Sequence, residues 1–154
     1  MLDIEEFEKK IDKKSRLLGI DPGKKRIGVA ICDENKIIAT PYTTIVKSNF
    51  SELLIQINKI IKENDIRGIV IGNPINLDGS NSQSSQSAKD LAINLSEKIS
   101  IPIAMWDERL SSRGAFNLSN DLDVNTSKKI STLDENSAAF ILQGALDYFR
   151  REIT

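Results

Sequence analysis

The segment "LLGIDPGKKRIGVAIC", residues 17–32, is the tightest constraint on what this chain can fold into. Two apolar runs of strand length, 17–20 and 27–32, are joined only by residues 21–26. A parallel pairing needs a crossover of about a dozen residues or more, so these runs pair antiparallel. "DEN" at 33–35 is a second turn signal, and "KIIATPYTTIV", residues 36–46, reads as a third extended segment. Pro41 cannot donate to a ladder, so this strand is broken, bulged or at an edge there. Three strands on short turns predict an antiparallel meander.

Past residue 47 the period changes. Phe50, Leu53, Leu54, Ile57, Ile60 and Ile61 recur at helical spacing. Ser48, Asn49 or Ser51 can cap that helix, and "END" closes it. "RGIVIG", 67–72, is a continuous apolar run of the kind buried on both faces of a sheet. A loop rich in Asn, Ser and Gly follows, then a helix with the stripe Ala88, Leu91, Ala92, Leu95 and Ile99. "IPIAMW", 101–106, is a fifth strand. A short helix is expected over 111–119 and a polar loop over 119–133. The last helix is expected from about Asp134 to Arg150, with Ala138, Ile141, Leu142, Ala145 and Phe149 as its stripe. Residues 1–15 are a charged extension in which Leu2, Ile4, Phe7 and Ile11 permit a short helix. Residues 16–154 form a single domain. The order β-β-β-α-β-α-β-α-α predicts an α/β fold with a mixed five-stranded sheet, a three-strand antiparallel meander plus parallel strands, and helices on both faces. That is the element order of the ribonuclease-H-like fold.

Composition narrows the chemistry. The chain has no histidine, which removes Ser-His-Asp and Cys-His triads and His-ligated zinc. Its one cysteine, Cys32, lies in an apolar run, can form no intramolecular disulfide and reads as a small core residue. The 21 basic and 22 acidic residues nearly cancel, so any nucleic-acid contact has to come from a local basic face. No apolar stretch approaches the length of a membrane span, and the N-terminus lacks the apolar segment of a signal peptide. The expected setting is the cytoplasm, with no membrane partner.

Carboxylates stand at element boundaries. Asp21 ends the first strand, Asp107 and Glu108 close the fifth, and Asp134 and Glu135 open the last helix. Taken singly, an Asp in such a place is more often a turn former or a helix cap. Sites in α/β sheets gather at strand C-terminal ends, so neighbouring first and fifth strands would share one rim. Asp107 and Glu108 point to opposite faces of an extended strand, and alternation does not say which faces the site. We assign Glu108 to it, with Asp107 beside it. Two such charges ~4 Å apart repel by about 4 kcal/mol at an effective dielectric near 20. A hard divalent ion, Mg²⁺ or Mn²⁺, takes carboxylate oxygens and offsets that repulsion, and a pair of them supports phosphodiester hydrolysis. Lys24, Lys25, Arg26, Arg109, Arg113, Lys128 and Lys129 can form a basic collar beside the acids, though each alone is a common solvated charge. "GNPINLDGS" lies at the same rim and lacks the spacing of a P-loop; its Asn and Ser side chains can approach a substrate backbone. Trp106 is a core residue or, less commonly, a stacking platform.

Four stretches, "GIDPGKKRIGVA", "IVIGNPINLDGS", "WDERLSS" and "LDENSAAFILQGALDYF", resemble the YqgF family in order and spacing, over about residues 16–151. The resemblance implies a ribonuclease-H-like, metal-dependent nuclease that matures the 5′ end of 16S rRNA. On its motifs, Asp21, Glu108 and Asp134 are the catalytic and metal-holding residues, with Mg²⁺ or Mn²⁺ as cofactor. Precursor 16S rRNA or ribosomal particles are the implied partners, contacted by Lys24, Lys25, Arg26, Arg109, Lys128 and Lys129. The chain has Gly72-Asn73-Pro74 where the family usually has Gly-Leu-Pro. Distantly related resolvases carry a carboxylate there, and its absence weakens a junction-cutting role. Two alternatives stand beside this reading. One is a dimeric Holliday-junction resolvase acting on four-way DNA. The other is a non-catalytic RNA-binding assembly factor. Monomer and homodimer are both open.

Overall fold

A computed structural model of the chain describes residues 1–74, 83–108 and 126–151, with the backbone alone for 126–135. The meander is present. β1 (Arg16–Pro22) pairs antiparallel with β2 (Arg26–Cys32), and β2 pairs antiparallel with β3 (Ala39–Val46). β4 (Ile66–Asn73) then adds parallel to β1, and β5 (Ile103–Asp107) parallel to β4, giving the order β3-β2-β1-β4-β5. Pro41 sits where the β2–β3 register shifts, on the edge strand, so its missing N–H interrupts no central ladder.

Helices cover both faces. α2 (Phe50–Asn64) and α3 (Gln83–Lys98) pack on one, α1 (Ile4–Lys10) and α4 (Thr126–Phe149) on the other. Strand alternation sorts the two cores. Leu18, Ile20, Ile69 and Ile71 join Leu53, Ile57 and Leu95, whereas Leu17, Val70 and Ala104 join Ala138, Leu142 and Leu146. The predicted cap of α2 is Asn49, whose side chain accepts from Glu52 N at 2.9 Å.

α4 lies close on the sheet because β1 carries Gly19 beneath it. A Cβ there would stand 2.7 Å from Leu142 Cβ. The ring of Phe149 stacks on Phe7 at 5.9 Å, and Phe7 covers Gly68 near the start of β4. Ala138 and Leu142 lie further along, over Gly19, and Ile141 lies over Gly72. α4 therefore runs against β1, and its earlier turns head toward the rim where β1, β4 and β5 end.

Two expectations change. The last helix begins at Thr126, eight residues before Asp134, so 126–133 is helical rather than a polar loop. Ile130 and Leu133 are the apolar residues of "TSKKISTLDEN", too sparse to show a helical period. The helix expected over 111–119 and the loop residues before 126 lie outside the described residues. The N-terminal segment does form a helix, and Phe7 is wholly buried in the α4-side core. Leu2 also bridges to Ala104, its N–H donating to Ile103 O at 2.9 Å. Among the described residues no helix is long and apolar enough to cross a membrane.

Candidate active site

The rim is built by three parallel strand ends, with β4 between the two that carry acids. The pairing Ile20↔Ile71 sets Asp21 level with Gly72, and Gly72 pairs with Trp106 on the other side. Asp21 shares its face of β1 with Leu17 and Gly19, the α4 side. Along β5, alternation puts Ile103 toward α2 and α3 and Trp106 toward α4, so Asp107 is set to the α2/α3 side. Glu108, one residue on, returns to the α4 side. Its carboxyl carbon lies 3.1 Å from where a Cβ on Gly72 would be. The side chain of Glu108 thus lies across β4 in a gap that exists because residue 72 has no side chain.

Burial there pushes the Glu108 carboxyl up to about 7, with the negative charges of Asp21 and then Asp107 adding to the effect. The site holds more negative charge than its solvation balances. An ordinary surface carboxylate titrates far lower.

Asp134 lies on α4 one turn before Ala138, in the part of the helix that heads toward this rim. Its side chain, with those of Glu135, Lys128 and Lys129, lies outside the described residues, as does Arg109. Among the described residues no group of three or more potential ligands is assembled. Lys24, Lys25 and Arg26 are exposed at the β1–β2 turn immediately after Asp21. The turn is closed by Gly23 N donating to Asp21 O at 3.1 Å.

Asn73, Trp106 and Cys32 each have partners inside the fold. Asn73 is buried, and its Oδ1 accepts from Ser85 Oγ at 2.7 Å, which ties α3 to the end of β4. Trp106 is 4% exposed with its ring tilted against Tyr148, a core residue. Cys32 is buried and its Sγ accepts from Leu17 N, while burial pushes the thiol pKa up, away from reactivity.

Gly72 was read from the sequence only as part of the loop at this rim, and its place beneath Glu108 was missed. Its signal was present, since a glycine inside the β-branched run "GIVIGNP" marks a close approach. Gly72→Ala is expected to lower activity by displacing Glu108, and to cost about 1–3 kcal/mol of stability, because its new Cβ would also meet Ile141 Cδ1 at 2.5 Å. Urea denaturation beside a cleavage assay checks both effects.

A five-stranded mixed sheet in this order, helices on both faces and acids at the ends of β1 and β5 define the ribonuclease-H-like class of nucleases. Residues 15–148 match the RuvX family, described as Holliday junction resolvase, and the chain belongs to that family, a phosphodiester-hydrolysing nuclease among its members. Relatives carrying the name "Putative pre-16S rRNA nuclease" include one from Pelagibacter ubique. It is 55% identical over 148 residues, covering 96% of this chain and 98% of the relative. Another, from Zymomonas mobilis, is 38% identical over 143 residues, covering 93% and 87%. Among solved structures, T. thermophilus RuvC in complex with Holliday junction substrate superposes with a TM-score of 0.53 over 88% of this chain and 93% of that one. At 9% identity, that likeness is one of fold.

Proposed function

We propose that this chain is a cytoplasmic, metal-dependent nuclease that trims the 5′ end of precursor 16S rRNA, with Asp21, Glu108 and Asp134 as its catalytic and metal-holding residues. The observation that carries the reading is the Glu108 carboxyl laid over Gly72, its proton affinity raised by burial and by Asp21. Two carboxylates crowded at one rim are an all-oxygen donor set under mutual repulsion, and that fits Mg²⁺ or Mn²⁺ rather than a softer metal. Such ions, when bound, activate water and stabilise the leaving oxygen of an in-line phosphodiester displacement.

The chain's own groups supply the rest. Glu108 can lie against the strand because position 72 has no side chain, which brings its carboxyl to the rim where Asp21 ends β1. Deprotonated, it adds negative charge beside Asp21. Lys24, Lys25 and Arg26 project at the same rim and draw the phosphate backbone toward the acids. Arg109, Lys128 and Lys129 are assigned to the same contact, and Asp134 to the third ligand position. The RNA reading is supported by the names of relatives that match nearly the full length of the chain.

Cleavage of four-way DNA is the second reading, favoured by the family's description. A direct comparison separates the two. The chain is incubated with Mg²⁺ or Mn²⁺ and either a 5′-extended 16S precursor or a synthetic four-way junction. Cleavage of the precursor with the junction left intact is expected. Resolved junctions with uncut precursor overturn the assignment of RNA. Binding of RNA that survives loss of all three acids, with no cleavage by the wild type, would point to the non-catalytic assembly factor.

A further inference from the structure

On the other face of the sheet, at the same rim, lies a cavity of about 200 Å³ that the catalytic assignment does not use. Its floor is apolar, formed by Ile27 of β2 and Leu91 of α3. Its polar lining comes from three separate places. Lys24 comes from the β1–β2 turn, Lys47 from the residue after β3, and Ser84 and Ser87 from the first turns of α3. Pro22 and Gly23, the residues directly after Asp21, form its near wall, so the cavity adjoins the acids through the thickness of one strand end.

The charge arrangement is specific. Among the described residues no carboxylate lines this cavity, and the first turn of α3 carries no acid. The backbone of Lys47 is fixed to the hairpin by its N–H donating to Lys25 O at 2.9 Å. Two lysines from the two ends of the hairpin thus line one small hollow, with hydroxyls and the positive end of a 16-residue helix beside them, and Lys47 and Ser87 also border the adjoining hollow. Asp90 is in the adjoining hollow between α2 and α3, where Gln86 donates to it at 3.0 Å. Two cationic side chains and two hydroxyls in one lining favour an anion there over a neutral or cationic ligand. The hollow is below the size of the usual sites for drug-like ligands, which run from about 300 Å³ upward. One phosphate group suits it.

We propose that this cavity is a phosphate subsite for the nucleic-acid strand, in which Lys24, Lys47, Ser84 and Ser87 hold a phosphodiester outside the scissile one. The strand would pass over the end of β1, with its scissile phosphate on the α4 side and this second phosphate on the α2/α3 side. The role of Lys47 is positioning: it sets where the strand lies across Asp21 without touching the reacting atoms. The proposal rests on the nuclease reading only for the identity of the strand. The phosphate site itself stands or falls separately.

The test measures binding in the absence of divalent metal, so cleavage plays no part. Fluorescence anisotropy follows a short labelled single-stranded RNA titrated with wild type, Lys47→Gln and Lys98→Gln across a range of salt. Lys98, at the far end of α3, removes the same charge away from the cavity. Loss of one phosphate contact reduces the slope of log K against log salt by about 0.7 for a single strand. That reduction is expected in Lys47→Gln and not in Lys98→Gln, and Lys47→Arg is expected to restore it. Equal changes in both Gln variants, or none in Lys47→Gln, overturn the subsite. So does a mononucleotide that binds as tightly as the RNA and depends on Lys47, because the hollow is then a free-phosphate site. A Lys47-dependent slope in a protein that cleaves no RNA keeps the subsite and removes the nuclease assignment instead.

Discussion

Asp21→Asn and Glu108→Gln are each expected to slow cleavage of the 5′-extended precursor at least about 10²–10³-fold at saturating Mg²⁺, the loss typical of one electrostatic contact to a reacting centre. Both substitutions keep the size and shape of the side chain, remove its charge and replace one acceptor oxygen by an NH2 donor that cannot ligate a metal. Asp21 ends β1 level with Gly72, and Glu108 lies across Gly72. Removing either charge therefore removes half of one donor pair. Single-turnover rates separate this effect from substrate binding, which rests on cations elsewhere on the rim. Thermal melts of the same preparations show whether the variants are folded. A folded Asp21→Asn that cleaves at the wild-type rate ends the metal-site assignment. Asp134→Asn isolates the third position. A similar loss is expected, and an unchanged rate would remove Asp134 while leaving the Asp21–Glu108 pair.

The parts of this fold that follow from short-range rules were legible in the sequence. Turns too short for a crossover fix the meander, and a continuous apolar run such as "RGIVIG" calls for a strand covered on both sides. The chemistry of the rim was legible as a list of acids at strand ends, but not as an arrangement. Alternation allows either Asp107 or Glu108 to face α4. The choice becomes visible only once β4 is known to lie between β1 and β5 and Gly72 leaves the gap that Glu108 enters. The partner of Asn73 was hidden for a related reason. Its polarity is visible in sequence, while Ser85, which donates to it, is 12 residues away across an Asn- and Ser-rich loop. Thr126–Leu133 was hidden because a helix with few apolar residues has little period to detect, although Lys and Leu are adequate helix formers. Lys47 was invisible as a functional residue because its significance lies in the hairpin hydrogen bond that fixes its backbone beside Lys25 and in the cavity it shares with Lys24.

Glu108 also makes the metal-free protein sensitive to pH, in a direction opposite to that of most paired carboxylates. The fold raises its carboxyl from an ordinary value of 4.5 to about 7, so the native state favours the protonated form. Its contribution to stability is therefore complete below pH ~4.5 and is lost as the pH rises through about 7, after which the deficit is constant. A displacement from 4.5 to about 7 corresponds to roughly 3–4 kcal/mol at most, since one pKa unit is about 1.4 kcal/mol. Glu108→Gln carries a neutral, hydrogen-bonding group in the same gap and escapes the loss. In EDTA, urea denaturation at pH 5 and pH 8 is expected to show wild type losing stability between the two values by up to that amount more than Glu108→Gln. At pH 8 the variant is the more stable protein. Adding Mn²⁺ at pH 8 is expected to stabilise wild type and not the variant, because an ion bound by the native carboxylates shifts the folding equilibrium by mass action. The two proteins would then exchange order, with the less stable of the metal-free pair becoming the more stable in metal. Identical pH dependence in the two proteins would show that neither burial nor the charge of Asp21 raises the Glu108 carboxyl at this rim.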